Sequence, residues 1–178
     1  MAAIPVSQLR IFTVLAIPLD AGNETEMSES LPTMAEMKEL AKIERTSQFT
    51  YWCLADIVTY GAMAYLKCGR TDDAYEAASI GVSAEHDMQK LFLAATCHGI
   101  LGQVAAKRGH IDEADGHFTN ALMQAKLSGL PLFEIFAARD LKEHLLTPHG
   151  RDVGPAEAAI DAACAKMKKP RSDFDFLV

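Results

Sequence analysis

Two stretches forty residues apart constrain this chain more than anything else in it. Residues 69–78 read GRTDDAYEAA and residues 109–118 read GHIDEADGHF. Gly69 aligns with Gly109, Asp72 with Asp112, Asp73 with Glu113 and Ala74 with Ala114, an offset of 114 − 74 = 40. Upstream, Ala62 aligns with Gly102, Tyr65 with Ala105 and Lys67 with Lys107; downstream, Ala78 aligns with Phe118. A unit recurring at such a period is one supersecondary piece that cannot bury its apolar face alone and must stack on its neighbours.

The second stretch holds two histidines and three acids in ten residues, the ingredients of a metal or acid–base site. The spacing argues otherwise. Seven residues separate His110 from His117, roughly 10 Å along a helix, so one ion does not take both. Asp112, Glu113 and Asp115 fall in the first turn after Gly109, where the helix dipole favours acids. The first copy keeps the acids and has no histidine. What repeats is a turn, a helix start and a close-packing site.

The flanking segments carry helical patterning. Residues 33–44, 49–67, 71–85, 88–108, 111–128, 131–146 and 155–169 are each predicted helical, the last two opening on Pro131 and Pro155, which suit a first helical turn. Residues 20–32 are polar and read as a loop. The ranges 49–67 and 88–108 are apolar nearly all round, as in helices packed on two sides. No strand pattern of convincing length is present. A third, degraded copy places Gly150 and Ala156 at 41 and 42 residues beyond Gly109 and Ala114, with a first helix over 132–146. An irregular pair before residue 54 completes a row of three or four hairpins.

Composition sets outer bounds. The 178 residues suffice for one domain with a real core. A net charge of −7 argues against nucleic acid as a partner, since phosphate binding needs a basic surface. Cys53, Cys68, Cys97 and Cys164 form no CxxC pair and read as reduced, buried small hydrophobes of a cytoplasmic protein. The apolar run Ile11 to Leu19 is too short to span a bilayer and poor as a signal peptide.

The second copy resembles a tetratricopeptide repeat. Leu101, Gly102, Ala105, Gly109, Ala114, Phe118 and Ala121 stand at that family's small, turn and aromatic positions, and Ala62, Tyr65, Gly69, Ala74 and Ala78 do so in the first. The usual early tryptophan is missing from both copies. Gly81 replaces an alanine, and the repeat-end proline is displaced to Pro131. The period of 40 exceeds the usual value of roughly 34. The resemblance covers residues 55–168 and implies an all-α, right-handed superhelical stack of antiparallel hairpins. The domain division is then 1–54, an irregular helical segment and loop readable as a degenerate repeat, and 55–178, the repeat domain with a C-terminal tail.

In such stacks the first helix of each pair lines a concave groove. The resemblance therefore nominates Asp56, Thr59, Met63, Leu66 and Lys67 from the first copy, and Thr96, Gly99, Gln103, Ala106 and Lys107 from the second. Lys67 and Lys107 form a short basic ladder suited to acidic side chains or a C-terminal carboxylate; lysines at helix C-termini also simply complement the dipole. No phosphate-binding, dinucleotide or nucleophile-elbow motif is present. Neighbouring Cys97 and His98 point in different directions on a helix. No catalytic set, metal set or cofactor is expected. The expected function is a non-enzymatic scaffold binding a protein or peptide partner, with no membrane partner. The alternative is a regulatory or sensor domain that self-associates or binds a small ligand within a larger assembly.

Overall fold

The computed structural model describes residues 28–42, 48–88 and 90–177, and among them all regular structure is helical. The elements are α1 (Met34–Lys42), α2 (Gln48–Lys67), α3 (Thr71–Met88), α4 (Leu91–Lys107), α5 (Ile111–Ser128), α6 (Pro131–Leu141) and α7 (Gly154–Met167). A π turn, Lys142–Leu146, extends α6, and a 3-10 segment, Arg171–Leu177, follows α7. Of the expected irregular pair, the second helix over 33–44 is α1, while the first, with the Ile11–Leu19 run and most of the expected loop, lies outside the described residues. Within 20–32, Ser28–Ser30 form a helical turn rather than loop. The chain divides into two compact units, Met1–Met88 and Gln89–Val178. Residue 54, the boundary expected from sequence, lies inside α2.

In the first unit α1 opens on a capping box. The Thr33 hydroxyl accepts from the Glu36 backbone N–H at 3.2 Å, and the Glu36 carboxylate accepts from the Thr33 N–H at 2.7 Å, satisfying two helix-end donors reciprocally. Met34 and Met37 are buried. Tyr65 of α2 is fully buried, and its hydroxyl donates to the Pro32 carbonyl at 2.8 Å. Burial holds the phenol neutral, with its pKa well above the usual value, against the opposing pull of Arg70. Arg70 lies over the Tyr65 ring at 4.6 Å and donates to Asp73 and to the Ser28 carbonyl. One buried aromatic and one arginine thus tie the lead into α1 to the α2–α3 corner.

The corner is built twice, atom for atom. At the end of α2 the N–H of Gly69 reaches the Leu66 carbonyl (3.2 Å) and that of Arg70 the Tyr65 carbonyl (2.9 Å); forty residues on, Gly109 reaches Ala106 (3.0 Å) and His110 reaches Ala105 (2.9 Å). These two bonds are a Schellman motif, which needs a left-handed residue at its bend. Gly69 (φ 72°) and Gly109 (φ 79°) supply it. The next helix starts identically, Ala74 N–H to Arg70 and Ala114 N–H to His110, both 2.9 Å. Ala74 and Ala114 are then fully buried. A third corner has the same two bonds, Gly150 to Thr147 (3.2 Å) and Arg151 to Leu146 (2.9 Å), with Gly150 at φ 61°. Here three residues separate the bend from α7, and the alanine position arrives one place later, at buried Ala156.

In the second unit these corners make two antiparallel hairpins. Gly102 of α4 faces Phe118 of α5 so closely that an added Cβ would sit 2.9 Å from the ring. Phe118, Ala105, Ala114 and Leu145 of the π turn form one buried cluster. Across α6 and α7, Ile135, Ala138, Ile160, Ala163 and Cys164 form another. The buried Glu134 carboxylate accepts two bonds from Lys166 Nζ (2.7 and 2.8 Å). Lys142 and Arg171 converge on Glu157, holding its carboxyl down at about 2 through those hydrogen bonds. The 3-10 segment is pinned to α7 by that contact. Cys68, Cys97 and Cys164 are buried, as expected; the Cys53 side chain lies outside the described residues.

Candidate binding face

α4 and α6, the first helices of the two hairpins in the second unit, run parallel and side by side. Parallel packing follows from the chain path, because each is followed by an antiparallel return helix of similar length. The contacts step along both helices together. Phe92 meets Phe133 (ring centroids 5.1 Å), Gly99 meets Asp140, and Lys107 lies near His144. The first two pairs are 41 residues apart, the spacing that also separates Gly109 from Gly150.

The seam is graded along its length. Its N-terminal end is aromatic: Phe133 contacts Phe92 and stands edge-on to Phe136 at 5.9 Å. At the middle Gly99 has no side chain, and Asp140 fills the space; a Cβ on Gly99 would lie 2.9 Å from Asp140 Oδ2. Burial pushes the Asp140 carboxyl up to about 6, against a hydrogen bond from Gln103 that lowers it. The C-terminal end sets exposed Lys107 beside half-buried His144 and exposed Glu143. Burial, with Lys107 adding to it, holds that imidazole below its ordinary pKa, against the pull of Glu143.

Of the nominated residues of the second copy, Gly99, Gln103 and Lys107 lie along the seam, and two of the five have hydrogen-bond work already. Gln103 is bonded to Asp140. The Thr96 hydroxyl donates back to the Phe92 carbonyl at 3.1 Å. Gly99 is covered, Ala106 is half-buried against the Ala105–Phe118 cluster, and Lys107 is exposed. In the first copy Thr59 is fully buried, so it presents no surface to a ligand. Met63 is exposed, and Asp56, Leu66 and Lys67 are partly so.

Comparison with family models, with curated proteins and with solved structures finds no match to this chain.

Five residues of this face escape the sequence reading: Phe92, Phe133, Phe136, Asp140 and His144. The signal for two of them was present. Adding 41 to the nominated positions 99 and 103 gives 140 and 144. Treating the third copy as degraded hid it, because its second helix starts late even though its first helix keeps register.

A second cluster lies on the α4–α5 hairpin. His98 Nδ1 and His117 Nδ1 are 3.2 Å apart, with the rings tilted at 35° and their centroids 5.4 Å apart. Desolvation, helped by the neighbouring imidazole, pushes His98 down to about 4; burial also lowers His117, against the pull of Glu113. His110 sits 3.2 Å from Glu113 at the exposed helix start. His117 approaches the other oxygen of the same carboxylate, its Nε2 lying 3.9 Å from Glu113 Oε1. Among the described residues, no group of three or more His, Cys, Asp or Glu side chains is arranged to hold a metal ion. No helix among them is long and apolar enough to cross a membrane.

Proposed function

We propose that this chain is a helical-repeat interaction module of the tetratricopeptide kind, a right-handed stack whose first helices together bind a peptide or helix of a protein partner. The parallel α4–α6 seam carries the reading, since first helix against first helix is how repeat arrays build a continuous binding surface. Its chemistry favours a ligand with an aromatic or aliphatic anchor toward Phe92, Phe133 and Phe136 and an acidic group toward Lys107. Lys67 occupies the position in the first hairpin equivalent to Lys107. The module does no chemistry of its own and works in a reducing, cytoplasmic setting, in keeping with its buried thiols.

Screening a displayed peptide library against the full chain tests this. Selected peptides should combine a bulky apolar residue with acids. Lys67→Glu together with Lys107→Glu should weaken the best of them at least about tenfold, the scale of two lost charge-assisted contacts, while leaving the melt intact. Binding that survives both changes removes the basic ladder, and failure to select any peptide removes the groove.

One observation favours the alternative of self-association. Met123 and Leu127 of α5 and Leu130 after it stand 46%, 63% and 44% exposed, an apolar row outside the seam. Light scattering across a concentration series distinguishes the two readings: a strict monomer sinks this one.

A further inference from the structure

We infer that His98 and His117 form a two-nitrogen chelate for a borderline divalent transition-metal ion, held across the α4–α5 hairpin. The geometry carries it. Two imidazole nitrogens bound to one tetrahedral Zn2+ at about 2.0–2.1 Å lie about 3.3 Å apart. The two Nδ1 atoms stand 3.2 Å apart before any ion is added. They come from different helices, so the hairpin fixes the spacing rather than a flexible loop. Arriving ions meet little reorganisation.

The rest of the cluster suits the role. Both imidazoles are held neutral near pH 7 by burial, leaving ring nitrogens available to a metal. His117 keeps 21% of its side chain exposed, which gives an ion and its remaining waters a way in. Its far nitrogen, Nε2, lies 3.9 Å from the Glu113 carboxylate, outside hydrogen-bond reach, so that carboxylate acts on the ring as a neighbouring negative charge. Without metal, the contact is a single hydrogen bond in which one Nδ1 carries the proton and the other accepts. That arrangement satisfies one nitrogen pair and gives no reason for two half-buried histidines over an apolar pair of equal size.

Two protein ligands leave the remaining positions to water, so the site is exchangeable rather than a structural zinc centre. Bound metal bridges the two helices and stabilises the hairpin by mass action.

Titration of the metal-stripped full chain with ZnCl2 is the test. One ion per chain should bind, and the melting temperature should rise with Zn2+ and saturate. His98→Gln and His117→Gln should each weaken binding by at least about tenfold, since losing a ligand costs no less than losing its outer partner, about 10–100-fold. His149→Gln should leave it unchanged. Ring resonances of the unaltered protein supply a readout that needs no variant: Zn2+ should shift those of His98 and His117. No binding, binding that survives both substitutions, or shifts confined to the exposed His110 and His149 would each overturn the proposal.

Discussion

The α2–α3 and α4–α5 hairpins share a corner down to individual hydrogen bonds, yet they place their large core residue on opposite helices. In α2–α3 the aromatic is Tyr65, on the first helix, and its counterpart forty residues on is Ala105. In α4–α5 the aromatic is Phe118, on the second helix, and its counterpart is Ala78. Each choice has a visible cause. Tyr65 reaches beyond its hairpin to Pro32, a polar use that needs a hydroxyl. Phe118 stays inside its hairpin, in the space left open by Gly102 and closed by Leu145. A repeat therefore conserves its backbone bend while trading volume between facing helices, because only total volume and a small residue at the closest approach are constrained.

The hardest test of the shared corner is a charge at its close-packing site. Ala114→Arg places a guanidinium among Ala105, Phe118 and Leu145, a fully buried apolar cluster. The cost should exceed about 4 kcal/mol, the range of severe core substitutions. Ala74→Arg should behave alike. A cooperative melt near the wild-type temperature in either variant would break the equivalence of the two corners.

The next effect sharpens the difference between a hairpin core and the seam beside it. Asp140 is raised in the folded state, so the native protein binds the extra proton between about pH 4 and 6. Stability from this group is present below its unfolded value and is lost as pH rises through about 6. Gln103 on α4 and Arg139 and Glu143 on its own helix are the groups that face it. Asp140→Asn should stabilise the protein at pH 7 by about 1–3 kcal/mol and leave it nearly unchanged at pH 4. The difference between the two proteins in denaturant melts isolates this group from the histidines, which titrate in both. An equal difference at both pH values would place the effect in packing rather than charge.

The smallest effect tests the traded volume. Gly102→Ala gains about 1 kcal/mol of helix propensity but forces the Phe118 ring aside, so a net loss of about 1–2 kcal/mol is expected. Ala62→Gly, its counterpart, should also destabilise, by about 1 kcal/mol, for the opposite reason: it loosens a helix and opens a space. A Gly102→Ala variant more stable than wild type would show that Phe118 is not held where it lies.

Much of the helical architecture was legible in residues 69–78 and 109–118, because a Schellman corner leaves a local imprint. A left-handed bend asks for glycine, a helix start for acids, and a close approach for alanine, all within ten residues. The all-helical class, both ends of α5 and, to within two residues, those of α7 follow from such local preferences; the expected start of α4 at 88 does not hold, since Met88 closes α3 and α4 begins at Leu91. The candidate face was only half legible. Its positions from Thr96 to Lys107 on α4 could be named by repeat register, and the step of 41 from Gly99 reaches Asp140, but Phe92 and the phenylalanines of α6 required knowing which helix lies alongside. The histidines make the point most clearly. Read along the chain, His110 and His117 are too far apart to act together, and His98 has only Cys97 beside it. Helix phase and hairpin stagger bring His98 and His117 into contact. Backbone turns are set by neighbours in sequence, whereas which side chains meet is set by how two helices slide against each other. That slide was fixed by volume at Gly102 and Phe118, and it became visible only in the folded hairpin.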